Sequence, residues 1–330
     1  MLLNSTDRWK SADGDIGKPY HSSYALLTIS QSSGNFRLLK QIVLPAIFCC
    51  GLFGNVASFL VMTSRKFRRY SYAVYLTALA ISDLSICLSF TGIPILEYAV
   101  FSLTGRHGIA FSSVHLCKLY EFIFQLGGNC SSWLIVVTTI ERLVAILFPF
   151  RFRRICTPRF ARVVLATVIV PSAVLAAADI LFIMRYTKPN GCFYRRRTQQ
   201  AHFMFLVLYL YVAPLTIILV SNVLIVIFLN RRRVNDLADS VNNTKTIRSG
   251  KRVAVMLLTV STVFAVTTIP STITALVSLP ASVKQPLFAA FQMLECCNFA
   301  VNFYIYILVG TDVRQYFVEK LTCRGKTEPG

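Results

Sequence analysis

Seven stretches of the chain are predominantly apolar runs, separated by short polar and basic segments: residues 42–62, 72–98, 116–148, 160–184, 202–229, 253–279 and 286–309. A helix needs about 20 apolar residues to cross the roughly 30 Å hydrocarbon core of a bilayer. Every run is long enough, so the pattern predicts seven membrane-crossing helices. The third exceeds what a crossing requires and is expected to tilt or to project beyond the bilayer. Pro94, Pro171, Pro214 and Pro270 fall inside the runs. Membrane helices tolerate such prolines as kinks, because neighbouring groups re-satisfy the freed carbonyls. Beyond the seventh run, Val313, Tyr316, Phe317 and Leu321 recur at helical spacing, which predicts an amphipathic helix over 311–322 lying on the membrane. The expected fold is an all-α membrane protein: a seven-transmembrane helix bundle with a short amphipathic eighth helix. Its parts are an N-terminal tail (1–41), the bundle (42–309), and the amphipathic helix with a short tail (310–330).

Composition agrees with that pattern. Of 330 residues, 55% are hydrophobic and 15% charged, against about 25% charged in soluble chains, and the mean hydropathy is +0.59. The net charge of +20 fits a membrane surface or nucleic acid. The basic residues sit in short clusters between apolar runs rather than on a solvated face, so no nucleic-acid partner is expected and membrane lipids are. Clusters at Arg65–Arg69, Arg151–Arg159, Arg231–Arg252 and Arg314–Lys326 outnumber the basic residues of the opposite side. The positive-inside rule puts those clusters in the cytoplasm and the N-terminus outside, in the plasma membrane. The tail lacks the roughly 7–15-residue apolar core of a cleavable signal, so the first run is expected to act as its own insertion signal. Asn4-Ser5-Thr6 is then an accessible glycosylation sequon at Asn4.

Few ionisable residues enter the runs, and such residues cost free energy unless they serve a purpose. They include Asp83, Glu97, Glu121, Glu141 with Arg142, Asp179 and Glu295. Glu295, Asn298, Asn302 and Tyr306 recur at intervals of 3, 4 and 4, which sets them on one helical face. Glu121 and Arg142 lie about 31 Å apart along the third helix at 1.5 Å per residue. That helix carries an acid near one surface and a base at the other. Ten cysteines include no CxxC pair, and the four histidines all lie outside mid-membrane positions. A zinc site and an intramembrane enzyme are therefore not expected. A transporter would need a polar path across the bundle or paired broken helices, which the apolar inner halves of the fifth and sixth runs do not offer. Cys117 and Cys192 alone stand at run ends that an oxidising compartment reaches.

Several short motifs occur in order. Gly54-Asn55 lies in the first run and Leu79-Ala80-Ile81-Ser82-Asp83 in the second. Cys117 stands 25 residues before the arginine of Glu141-Arg142-Leu143. Pro214 and Pro270 occupy the fifth and sixth runs, with Phe264 six residues before the latter, and Asn302-Phe303-Tyr304-Ile305-Tyr306 closes the seventh. Together they resemble the motifs of rhodopsin-like (class A) G-protein-coupled receptors over residues 40–322, and most closely those of invertebrate neuropeptide receptors of the FMRFamide-like type.

The resemblance implies a Cys117–Cys192 disulfide, where the residues alone leave two free thiols equally open. It implies coupling to a heterotrimeric G protein through Glu141, Arg142 and Tyr306, although Arg142 alone reads as well as a side chain reaching for headgroups. It implies an allosteric sodium ion at Asp83, Ser131, Asn298 and Asn302, all oxygen-bearing as a hard cation requires. The alternative there is a structural Asp83 satisfied by Asn55 and Asn302. No other cofactor is expected. The switch falls at Pro214, Ser132, Phe264, Thr268 and Pro270, and Cys323 is a palmitoylation candidate or an unmodified thiol.

Departures from the family pattern accompany these matches. Thr268 stands where a tryptophan is usual, the fourth-helix tryptophan is missing, Asn222 replaces a tyrosine, and Gly250 replaces an acid that in some members holds the arginine across to the sixth helix. The aminergic aspartate position is Phe124 and the retinal lysine position is Cys296. With the turn signal Lys188-Pro189-Asn190-Gly191, these favour an extracellular peptide ligand over an amine or retinal. A non-peptide small molecule is the alternative. The expected ligand contacts are Glu97, Glu121, Phe124, Gln125 and Glu295, whose carboxylates favour a cationic group such as an arginine side chain.

Overall fold

The structure, a computed structural model, describes residues 34–322 except 94, 97, 98, 100–102, 104–112, 188–190, 195–203, 237–243 and 278. Among the described residues, seven helices are long and apolar enough to cross a membrane: Ile42–Thr63, Ser71–Gly92, Val114–Leu147, Pro158–Phe182, Met204–Asn230, Arg252–Thr274 and Ala290–Val309. These are called spans 1 to 7. The sixth belongs to a longer helix, Thr244–Leu276, that projects past the span at its inner end. Apolar faces such as Val163, Val170 and Val174 of span 4 point outward, as a bundle solvated by lipid requires.

Span 3 is the hub and touches spans 2, 4, 5 and 6. Lipid tails are as apolar as leucine, so close packing and hydrogen bonds hold such helices together. Gly127 allows one such approach, since a Cβ there would lie 3.0 Å from Ile86 Cγ1 and 3.1 Å from the Ser82 carbonyl. The main core joins Leu134, Ile135, Ile218, Phe264, Phe303 and Tyr306 from spans 3, 5, 6 and 7.

Span 5 carries a π-helical turn at Leu208–Val212. Pro214 lacks an N–H and its ring crowds the carbonyl four residues earlier, and a wider turn at that carbonyl relieves the clash. Pro171 and Pro270 stay within α-helix. Outside span 4 lies a hairpin, β1 (Met184–Thr187) and β2 (Gly191–Tyr194), with Thr187 opposite Gly191. β2 packs on span 3, and residues 188–190 of the turn signal lie outside the described residues.

The amphipathic helix spans Thr311–Leu321. Its apolar side turns to the protein rather than lying first on lipid: Val313 is buried, Tyr316 meets Phe67 edge-on at 5.5 Å, and Phe317 meets Phe303 at 5.1 Å. Phe303, which stands where the family motif has proline, also contacts Phe53 of span 1 at 5.9 Å. The substitution thus supplies an aromatic joint linking spans 1 and 7 with the amphipathic helix.

Candidate functional site

Three polar clusters lie along the bundle. The middle one centres on Asp83, which is fully buried. Its Oδ1 accepts from Ser131 Oγ at 2.5 Å and its Oδ2 from Asn302 Nδ2 at 2.6 Å. Asn55, an expected partner, instead donates to the Phe299 carbonyl at 2.9 Å. Both polar atoms of Asn298, Asn302 Oδ1 and the Tyr306 hydroxyl are buried with no protein partner. Unmatched buried polar atoms are costly and are normally met by water or an ion. The oxygens of Asp83, Ser131, Asn298 and Asn302 form a donor set that a small hard cation fits. Among the described residues no cluster of His, Cys, Asp and Glu could hold a transition metal.

The inner cluster is built on the last turns of span 3. Glu141 and Arg142 are both buried, and Arg142 Nη2 lies 3.1 Å from Glu141 Oε1. Ser71 Oγ donates to the same carboxylate oxygen at 2.9 Å. The Arg142 guanidinium stacks over Tyr72 of span 2 at 5.0 Å and over Phe152 at 5.8 Å. Phe152 belongs to a short helix, Pro149–Ile155, that follows span 3. Desolvation of a cation between ring faces strengthens such contacts. Nearby, burial pushes the Cys156 thiol up to about 11, with Glu141 adding to the shift, so it stays neutral. Gly250 leaves span 6 with no acid for Arg142. Span 6 is tied elsewhere: Arg252 Nη1 donates to Thr311 Oγ1 at 3.0 Å and lies 4.0 Å from Asp312.

The outer cluster centres on Glu295. It is half-buried on span 7, beside Tyr211 of span 5 and Ser271 of span 6, and the Ser271 hydroxyl donates to the Thr268 carbonyl of its own helix at 2.9 Å. Phe124 stacks on Phe90 at 5.9 Å and packs in a cluster with Met293 and Cys296. Glu121 is buried and Gln125 half-buried on the same helix. Below them Thr268 is buried and its hydroxyl has no partner. Phe264, Pro214 and Ser132 are buried, while Pro270 is half-buried within the span 6 helix. Asn222 accepts from Ser261 Oγ at 3.0 Å, tying span 5 to span 6 where the family has tyrosine.

Cys117 is disulfide-bonded, and β2, which carries Cys192, packs on its helix. The side chain of Cys192, together with Asn4, Glu97 and Cys323, lies outside the described residues. Sequence reading missed Tyr72, Phe152 and Ser71. None carries a motif, and each gains its role only when another helix is brought beside it.

These features define a seven-helix membrane receptor rather than an enzyme. Residues 54–306 match the family model of the seven-transmembrane receptors of the rhodopsin family, and the chain belongs to that family. It is 27% identical over 308 residues to a probable G-protein-coupled receptor, B0563.6, of Caenorhabditis elegans, covering 85% of this chain and 69% of that one. It is 29% identical over 150 residues to the trissin receptor of Drosophila melanogaster, covering 44% of this chain and 21% of the receptor. It is 30% identical over 133 residues to the FMRFamide peptide receptor frpr-18 of C. elegans, covering 40% and 30%. Prostacyclin receptors of several mammals also match, 25–27% identical over about half of this chain and less than half of their own length.

Proposed function

We propose that the protein is a plasma-membrane receptor, N-terminus outside, that is activated by an extracellular peptide and signals through a heterotrimeric G protein. The observation that carries this is the buried Glu141–Arg142 pair at the inner end of span 3, on the helix whose outer end bears Cys117 and Glu121. A buried, partner-held arginine at the inner surface is a group that can be released toward a docking protein. The hairpin packed on span 3 and the peptide-receptor names among the relatives support a peptide ligand. Glu121, Phe124, Gln125, Glu295 and Glu97 are its proposed contacts. Cys192 is the proposed partner of Cys117, Asn4 the glycosylation site and Cys323 the lipid-modification site. Sodium is proposed at Asp83, Ser131, Asn298 and Asn302, favouring the resting state.

Screening a neuropeptide library in cells with calcium and cAMP readouts tests the reading, with Arg142→Ala as the partner arm. A peptide hit should lose its signal in Arg142→Ala while binding is kept, because Arg142 lies about 30 Å from the outer pocket by helix rise. Full signalling from the variant at matched surface density rejects the assigned coupling role. The match to prostacyclin receptors favours a second reading, a non-peptide ligand, and a prostanoid arm of the same screen decides between them.

A further inference from the structure

A cavity of about 740 Å³ lies between spans 2, 3 and 4, and Ile81, Ile123 and Ile169, which line it, are exposed on the outer surface of the bundle. Its volume is that of a small-molecule site, about 300–1,000 Å³. Small side chains make the room: Ala73, Ala78, Ser82 and Ser85 on span 2, with Gly127 and Cys130 on span 3. From Ala73 to Ser85 the groove runs about 18 Å by helix rise. One leaflet of a bilayer has about 15 Å of hydrocarbon. The groove is thus about as long as one leaflet is deep.

Most of that length is apolar in effect. Its hydroxyls, on Thr63, Thr77, Ser82 and Ser85, donate to the carbonyls of Phe59, Ala73, Ala78 and Ile81 in their own helices at 2.7 to 3.0 Å. A hydroxyl has one proton to donate, so these walls keep no donor for a polar guest. One end differs. Arg68, in the connection after span 1, and Arg162, in the first turns of span 4, line the groove at the end of the bundle that carries the basic clusters. Both are exposed, and neither pairs with a carboxylate among the described residues. Arg162 Nε donates to the Pro158 carbonyl at 3.3 Å, which leaves both Nη groups for another acceptor.

We infer that the groove seats one anionic phospholipid of the leaflet on the basic side, with an acyl chain along spans 2, 3 and 4 and its phosphate on Arg68 and Arg162. A guanidinium fork matches phosphate oxygens bidentately, and basic pockets between membrane helices collect anionic headgroups. A zwitterionic headgroup brings its own ammonium beside the phosphate and gains less from the arginines. A sterol brings no anion at all. The seat also touches the switch region, because Ala73 follows Ser71 and Tyr72, which hold Glu141 and Arg142. The inference rests on the membrane-spanning fold and is independent of the peptide and coupling readings.

The test uses the full-length protein in detergent micelles, titrated with dioleoyl phosphatidylglycerol, dioleoyl phosphatidylcholine or cholesterol. Mass spectrometry of the intact complexes counts the bound lipids, and the unfolding midpoint is read in parallel. One phosphatidylglycerol should be retained at concentrations where phosphatidylcholine is not, and the midpoint should rise as the site fills. Arg68→Gln and Arg162→Gln should each weaken that retention about fivefold, and together about 25-fold. Ala78→Phe fills the groove and should abolish retention with both arginines intact. Where that variant does not fold, the arginine variants, whose side chains are exposed, carry the test. Arg314→Gln combined with Lys320→Gln removes the same charge from exposed positions of the amphipathic helix and should leave retention unchanged. Phosphatidylcholine held as tightly as phosphatidylglycerol overturns the inference, and so does full retention by a folded Ala78→Phe. Equal weakening by the amphipathic-helix pair makes overall charge the cause and overturns it too. Displacement of phosphatidylglycerol by an equal concentration of cholesterol makes the groove a sterol site and does the same.

Discussion

Replacing Tyr72 with leucine should release Arg142. The guanidinium is held by Glu141 at 3.1 Å and by two ring faces, Tyr72 at 5.0 Å and Phe152 at 5.8 Å. Arg142 and Tyr72 are both buried, which places their contact toward the desolvated end of the cation–π range, about 1–2 kcal/mol. Leucine fills similar apolar space and keeps none of the quadrupole. If about 1% of receptors occupy the active state at rest, a shift of about 1.4 kcal/mol raises that share to roughly 9%. The assay is basal nucleotide exchange in membranes at matched surface density. Tyr72→Phe keeps the ring face and should raise exchange far less than Tyr72→Leu, whereas Phe152→Leu, with the longer contact, should fall between them. Equal effects of the leucine and phenylalanine variants would show that packing, not the ring's attraction, restrains Arg142. No rise with leucine would refute the clamp altogether.

Other perturbations probe the remaining clusters. Raising sodium should weaken agonist affinity more than equal potassium does, and Asp83→Asn should abolish the difference; equal falls with both salts remove the case for an ion site. Cys117→Ser and Cys192→Ser should each lower surface expression or ligand affinity to the same extent, because the hairpin loses its tether; two variants indistinguishable from wild type would exclude that bridge. Thr311→Val should raise basal exchange modestly, about twofold, since the bond to Arg252 is part-exposed; unchanged exchange would mean that this tie does not restrain span 6.

Much of this architecture was legible in the chain because the bilayer imposes a length rule. The run read as 42–62 folds as Ile42–Thr63, and that read as 286–309 belongs to the helix Ala281–Val309. The polar stripe of span 7 also emerged from periodicity alone, and Asn298, Asn302 and Tyr306 are all buried. Pairing between helices was not legible. Asn55 and Asp83 both lie on inward faces, yet Asn55 turns to the Phe299 carbonyl and Ser131 takes its expected place. Periodicity gives the face of one helix but not the rotation of its neighbour, and that rotation selects the partner. The amphipathic helix shows the same limit. Its stripe marks an apolar face, but a stripe cannot say whether that face meets lipid or the Phe303 joint.

Two of the departures from the family pattern, Asn222 and Gly250, share one physical logic. There the lost contact is replaced by another tie, Asn222 to Ser261 in the first case. The missing acid at Gly250 would have held Arg142 to span 6. Here Arg142 is held to span 2 and the following short helix through Tyr72 and Phe152, while span 6 is held to the amphipathic helix through Arg252 and Thr311. The joint is also tight in shape, since a Cβ on Gly310 would come 2.7 Å from the Met256 sulfur of span 6. Holding the arginine and holding span 6 are thus separate tasks in this chain. In a receptor with a single bridge, one event breaks both. In this one Tyr72→Leu should free the arginine without loosening span 6 at its inner end, and Thr311→Val the reverse. Combined, they act on different contacts of one equilibrium, so their effects on basal exchange should multiply. A double variant no more active than Tyr72→Leu alone would mean that the two ties are one lock after all.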